Sequence, residues 1–101
     1  MLKHIVLFQL AEEAEGNSKA ENAAIIKQLL EALKDSIPEI VKMEVSINHP
    51  DAPAGNYDIV LESEFKNLTD LQTYTSHPRH LKAAEFIGKV RTARAAIDYE
   101  I

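Results

Sequence analysis

The first nine residues after Met1, LKHIVLFQL, constrain this chain more than any other stretch. Read as a strand, residues 2–10 put Leu2, His4, Val6, Phe8 and Leu10 on one parity and Lys3, Ile5, Leu7 and Gln9 on the other. Side chains alternate across a strand, so apolar residues on both parities mean that both faces of its sheet are at least partly covered. His4 shares a face with Val6 and Phe8. Two readings stand for it, a satisfied core histidine or a group lining a site.

The remaining pattern supplies the elements around that strand. After a loop at 11–17, Ser18 and Glu21 fit a capping box, in which each side chain satisfies a free backbone N–H. Ala23, Ile26, Leu29, Leu30, Leu33 and Ile37 then recur at helical steps, and Pro38 ends the helix. Residues 40–48 alternate, with Val41, Met43, Val45 and Ile47 on one face. A connection at 49–56 leads to a strand at 57–65, whose Tyr57, Ile59, Leu61 and Phe65 share a parity. Asn67 caps a helix carrying Leu68, Leu71 and Tyr74; it breaks at His77 and restarts at Pro78 with Leu81, Ala84 and Ile87, ending at Gly88. Residues 91–100 form the last strand, in which Ala93, Ala95, Ile97 and Tyr99 alternate with Arg94, Ala96, Asp98 and Glu100.

The order β-α-β-β-α-β, joined by right-handed crossovers, predicts one α+β domain over residues 1–101. It is a ferredoxin-like sandwich, with a four-stranded antiparallel sheet and two helices on one face. The apolar parity of each strand is expected to face the helices, which places Arg94 and Asp98 on the open face as an interface ion pair or a substrate clamp. With Ile5, Leu7, Val60 and Ala96 among charged neighbours, that face predicts a homodimer through the sheets.

Composition narrows the function classes. With no cysteine there is no disulfide framework, thiolate nucleophile or Cys-based metal site, which fits a reducing cytoplasm. A net charge of −5 argues against a nucleic-acid surface. The longest apolar run, Ile5–Phe8, is far short of a membrane span, and no signal peptide is read at the start.

Titratable chemistry concentrates in Tyr74-Thr-Ser-His77-Pro78-Arg79-His80. A histidine near neutrality can remove a proton, and a tyrosine hydroxyl can hydrogen-bond a developing oxyanion. Together they suit proton abstraction beside a carbonyl, or an aldol or cyclisation step, with no cofactor. His77 is expected to cap the segment starting at Pro78. A zinc reading through His77, His80 and His4 rests on H-x-x-H across a proline break, with no Glu evidently placed as base.

Three motifs in order resemble the stress-responsive A/B barrel (Dabb) domain: Lys3-His4-Ile5-Val6-Leu7-Phe8, Tyr74-x-x-His77-Pro78-x-His80, and Arg94-x-x-x-Asp98-Tyr99. The resemblance covers essentially the whole chain and implies a dimeric α/β barrel. Plant polyketide cyclases look similar. Their resemblance implies a pocket between sheet and helices, with Tyr74 and His80 as catalytic pair, His80 as general base, and His4 lining the pocket. Ile59 stands where the cyclases have a further histidine, and the first helix offers Ala23, Ala24, Ile26 and Leu30 in place of bulky aromatics. The expected ligand-lining residues are therefore His4, Ile59 and Leu30, around a small apolar carbonyl or aromatic compound. A non-catalytic ligand-binding or stress-response association domain is the alternative. A cofactor-free oxygenase is a third reading by analogy of fold.

Overall fold

The computed structural model describes all residues, Met1–Ile101. Strand β1 (Leu2–Leu10) is followed by a small hairpin of β2 (Glu13–Ala14) and β3 (Asn17–Ser18), then helix α1 (Lys19–Ala32) with a 3-10 turn at Leu33–Asp35. Strands β4 (Lys42–Ile47) and β5 (Ile59–Phe65), helices α2 (Leu68–Ser76) and α3 (Pro78–Val90), and strand β6 (Arg91–Glu100) complete the chain. The four long strands form an antiparallel sheet in the order β4-β5-β1-β6, which is the ferredoxin-like arrangement expected from the element order. No helix is long and apolar enough to cross a membrane.

β1 behaves as its two apolar parities require. Leu2, His4, Val6, Phe8 and Leu10 are buried beneath the helices, while the residues between them are half-buried. The helix-facing core joins Val6, Phe8, Leu61 and Phe65 of the sheet to Ile26 and Leu30 of α1 and to Tyr74 and Ile87. The capping box forms as read: Ser18 Oγ accepts from Glu21 N at 3.2 Å, and Glu21 Oε1 accepts from Ser18 N at 2.9 Å. Asn22 is fully buried in α1 and ties the helix to the hairpin, donating to Ala14 O at 3.0 Å and accepting from Asn17 Nδ2 at 3.2 Å. The hairpin turn places Glu15 at φ 52 and Gly16 at φ 77, the left-handed pair that a two-residue type I′ connection demands.

Several elements differ in extent from the expectation. The regular strands β4 and β5 are shorter at the loop end, leaving Tyr57 and Asp58 in the connection. There Asp58 accepts from Leu10 N at 2.7 Å and closes the end of β1. α1 tightens into a 3-10 turn at Leu33, before Pro38 is reached. α3 buries Ala83, Ile87 and Val90, whereas Leu81 is exposed, because the break at His77 resets the helix phase.

One correction concerns both faces of β6. Antiparallel pairing sets Phe8 opposite Arg94, Val6 opposite Ala96 and His4 opposite Asp98. Arg94 and Asp98 therefore lie on the helix side, and Ala95, Ile97 and Tyr99 on the open face, the reverse of the expected assignment. The physical reason is coverage. The helices do not reach over β6, an edge strand on which Ala93 alone is even half-buried. Its helix-side parity stays polar, and its apolar parity has only the open face to turn to.

Candidate functional site

The break between α2 and α3 builds the site. In a continuous helix Tyr74 O would accept from the N–H of residue 78, but Pro78 has none, and it accepts from His77 N at 3.1 Å instead. Thr75 O would accept from Arg79 N, but that N–H donates to His77 Nδ1 at 3.1 Å, so His77 is the N-cap of α3. The orphaned Thr75 carbonyl is met by His80 Nδ1 at 2.9 Å. Since a carbonyl only accepts, Nδ1 carries the proton, and Nε2 is the basic nitrogen of the neutral ring. A kink written into the sequence thus fixes both the orientation and the tautomer of His80.

His80 lies against Tyr74, with ring centroids 4.5 Å apart and planes at 53°. Phe65 stands behind Tyr74 at 5.0 Å, and His4 meets the edge of Phe65 at 6.3 Å. His4 Nδ1 is hydrogen-bonded to the Asp98 carboxylate across the β1–β6 pair. The buried imidazole therefore has the partner that burial of a polar group calls for. These residues line a cleft of about 140 Å³ between sheet and helices, together with Leu30, Leu61, Ala84, Ile87, Arg91 and Arg94.

Of the residues singled out in the sequence, His4, Leu30, Tyr74 and His80 meet in this one cleft. Ile59 does not: it is buried at the start of β5 opposite Phe8 and Ile47, and Leu61, two residues on, takes the lining position. Tyr74 and His80 are in ring contact but not hydrogen-bonded to each other, because the Tyr74 hydroxyl is buried without a protein partner. His77 is engaged as a cap, and no three His, Asp or Glu side chains group as metal ligands. Arg91 was not expected in the site, and Arg94 and Asp98, read as an ion pair or a substrate clamp on the open face, stand instead on the helix side, where Asp98 pairs with His4 rather than Arg94. A buried histidine on a strand does call for a partner on the neighbouring strand, but only the register identifies Asp98 as that partner.

The electrostatics assign different capacities to the two ring systems. Burial raises the Tyr74 phenol far above its ordinary 10.0, against a smaller opposing pull from Arg94. Tyr74 is therefore a hydrogen-bond donor at any physiological pH. Burial lowers the His80 imidazole below 6.5, assisted by the positive ends of His4, Arg94 and His77 and opposed by the bond to Thr75 O. His80 is neutral, and hence a competent base, throughout the neutral range.

That depression has a stability consequence. Below about pH 6.5 the unfolded chain takes up a proton on His80 that the folded protein still refuses, so this contribution to stability is lost as pH falls through that window. The urea midpoint of the wild type should drop more between about pH 7.5 and 5.5 than that of His80→Gln. Equal drops in both proteins would place the effect in other groups.

No curated protein matches the sequence. Among solved structures, a dimeric protein of unknown function with a ferredoxin-like fold from Bacteroides fragilis superposes with a TM-score of 0.88 at 37% identity, covering 99% of this chain and 95% of that one. A dimeric ferredoxin-like protein of unknown function from Thermobifida fusca has a TM-score of 0.82 at 23% identity, with 99% and 90% covered. The hydroxynitrile lyase of Passiflora edulis has a TM-score of 0.79 at 18% identity, with 99% and 92% covered, a likeness of fold alone. The model of the stress responsive A/B barrel domain, Dabb, matches residues 2–101, and the chain belongs to that family.

Proposed function

We propose that this protein is a homodimeric, cofactor-independent acid–base enzyme acting on a small carbonyl compound, with the cleft of each protomer as its site. The observation that carries the reading is the pairing of two unspent groups in one cleft. His80 is held through Nδ1 with Nε2 as its base, beside the unpartnered hydroxyl of buried Tyr74. His80 Nε2 takes a proton from the carbon next to the carbonyl. The electron pair of that C–H bond moves to the new C=C bond, and Tyr74 donates a hydrogen bond to the carbonyl oxygen as it becomes an enolate. Aldol additions and cyclisations through an enolate begin with such a proton transfer. The Passiflora enzyme, a hydroxynitrile lyase, supports the reading to the extent that its fold hosts lyase chemistry.

The test needs no knowledge of the natural substrate. Small ketones in D2O should exchange their α-protons faster with the protein than with an equal concentration of free imidazole, as followed by proton NMR. Ligand binding with no excess exchange would favour the non-catalytic alternative.

The homodimer is supported by the open sheet face and by the two dimeric relatives. Ile5, Leu7 and Val60 form an apolar centre continuous with exposed Ile97 and Tyr99, bordered by the ion pairs Lys3–Glu62 and Lys42–Glu64. A greasy centre with a charged rim is the anatomy of a protein interface. Light scattering at micromolar concentration should give twice the chain mass; a monomeric mass would count squarely against the dimer.

A further inference from the structure

We propose that the cleft selects a carbonyl compound bearing a carboxylate, and that Arg94 is the residue that binds it. The inference rests on the acid–base reading of the same cleft and names the substrate class.

Its starting point is the register of β6. Pairing with Phe8 brings Arg94 to the helix side of the sheet, where it lines the cleft beside Tyr74 and His80, and the register shift between Gln9 and Leu10 sets Arg91 opposite Leu10, so that it lines the cleft as well. Neither arginine is paired. Every ion pair in the protein uses the Met1 amine, a lysine or His4, and no arginine takes part. No carboxylate lines the cleft, and Asp98, on the same side of β6 as Arg94, is committed to His4. The protein carries a net charge of −5, yet this cleft presents two guanidinium groups with no carboxylate partner. A local positive potential on an acidic protein concentrates anions at that place. A guanidinium also offers the planar fork that matches a carboxylate through two parallel hydrogen bonds.

Position adds to charge. Arg94 lies close enough to act on both reacting groups, drawing the Tyr74 phenol down and the His80 imidazole down. A carboxylate on Arg94 therefore leaves the adjacent carbonyl within the field of Tyr74 and His80. Size sets the remaining limit. The cleft of about 140 Å³ is close to the ~150 Å³ of a cavity that holds benzene, which points to an acid of about four to six carbons. With a 2-oxo acid, His80 Nε2 removes a proton from C3, the C3–H electron pair forms the C2=C3 bond, and the C2 oxygen becomes the enolate oxygen hydrogen-bonded by Tyr74. The carboxylate stays on Arg94, and the imidazolium exchanges its Nε2 proton with solvent before returning one to C3.

The competing role for Arg94 is an ion pair with a second copy of the chain. The test compares 2-oxobutanoate with its neutral amide, 2-oxobutanamide, measuring both binding by calorimetry and C3 proton exchange in D2O by NMR. The proteins are the wild type, Arg94→Gln, Arg94→Lys, and Arg79→Gln, whose side chain lies outside the cleft. The wild type should bind the acid at least about tenfold more tightly than the amide. Arg94→Gln should erase that preference, Arg94→Lys should restore part of it, and Arg79→Gln should leave it unchanged. Equal binding of acid and amide by the wild type, or no binding of either, overturns the proposal. So does an Arg94→Gln protein that keeps the preference while its mass falls to that of a monomer. Exchange of amide and acid protons at equal rates overturns the substrate class and leaves the acid–base reading standing. Arg94-dependent preference for the acid without exchange does the reverse.

Discussion

His80→Ala is expected to slow α-proton exchange by roughly 10²–10⁴-fold, the range over which a positioned general acid–base group contributes. The variant removes the basic Nε2 and leaves the Thr75 carbonyl to solvent, which reaches this exposed residue. His80 is itself only half-buried, and Tyr74 keeps its packing on Phe65, so the fold should survive. The far-UV circular dichroism of the variant should therefore match that of the wild type. Tyr74→Phe is the companion: it keeps the ring contacts and removes only the donor to the oxyanion. Exchange that continues unchanged in His80→Ala would sink the assignment of the base.

Phe65→Ala should have the largest effect on stability, with a loss of about 3–5 kcal/mol. Phe65 is fully buried at the end of β5 and stands between His4 and Tyr74, touching the edge of one ring and the tilted face of the other. Truncation removes the transfer free energy of the ring and leaves a cavity beneath the cleft. Helices on one side and strand neighbours on the other limit how far it can collapse. A domain of this size is stabilised by roughly 5–15 kcal/mol, so a large part of the total is at stake. Phe65→Leu keeps most of the volume and should lose much less. A fall in the urea midpoint corresponding to under about 1 kcal/mol for Phe65→Ala would show that the core beneath the cleft is not packed as the ring contacts indicate.

The two predictions meet at one place. Phe65 carries no reactive group, yet it sets where the phenol and the strand histidine stand. His80 is the proposed base, yet its orientation comes from the break between α2 and α3. Site and scaffold are joined through the orphaned Thr75 carbonyl, which a helix without Pro78 would have satisfied internally.

Much of this was legible in the chain itself, because the signals are short-range. The alternation in LKHIVLFQL, the Ser18–Glu21 capping box, the Asn67 cap and the His77-Pro78 break each involve residues within a few positions of one another. Backbone sterics and local hydrogen bonds decide them before any tertiary contact exists. The element order then leaves few topologies open, and the ferredoxin-like sheet is the one found. The family resemblance grouped His4, Leu30, Tyr74 and His80, but the proline break left the direction of His80 open, and only the structure turns it onto Tyr74.

The strand at the other end of the chain was not legible in this way. Alternation along residues 91–100 separates Arg94 and Asp98 from Ala95, Ile97 and Tyr99, but it cannot say which set faces the helices. A shift of one residue in pairing exchanges the two faces of a strand, so that choice is made by register with a partner some ninety residues away. The same register places Asp98 on His4 and Arg94 in the cleft, and pairing sets Leu61, not Ile59, opposite Val6 in the cleft wall. Local sequence thus determined the elements and the break. Only the tertiary structure, through strand register and the reach of the helices, decided which charges stand around them.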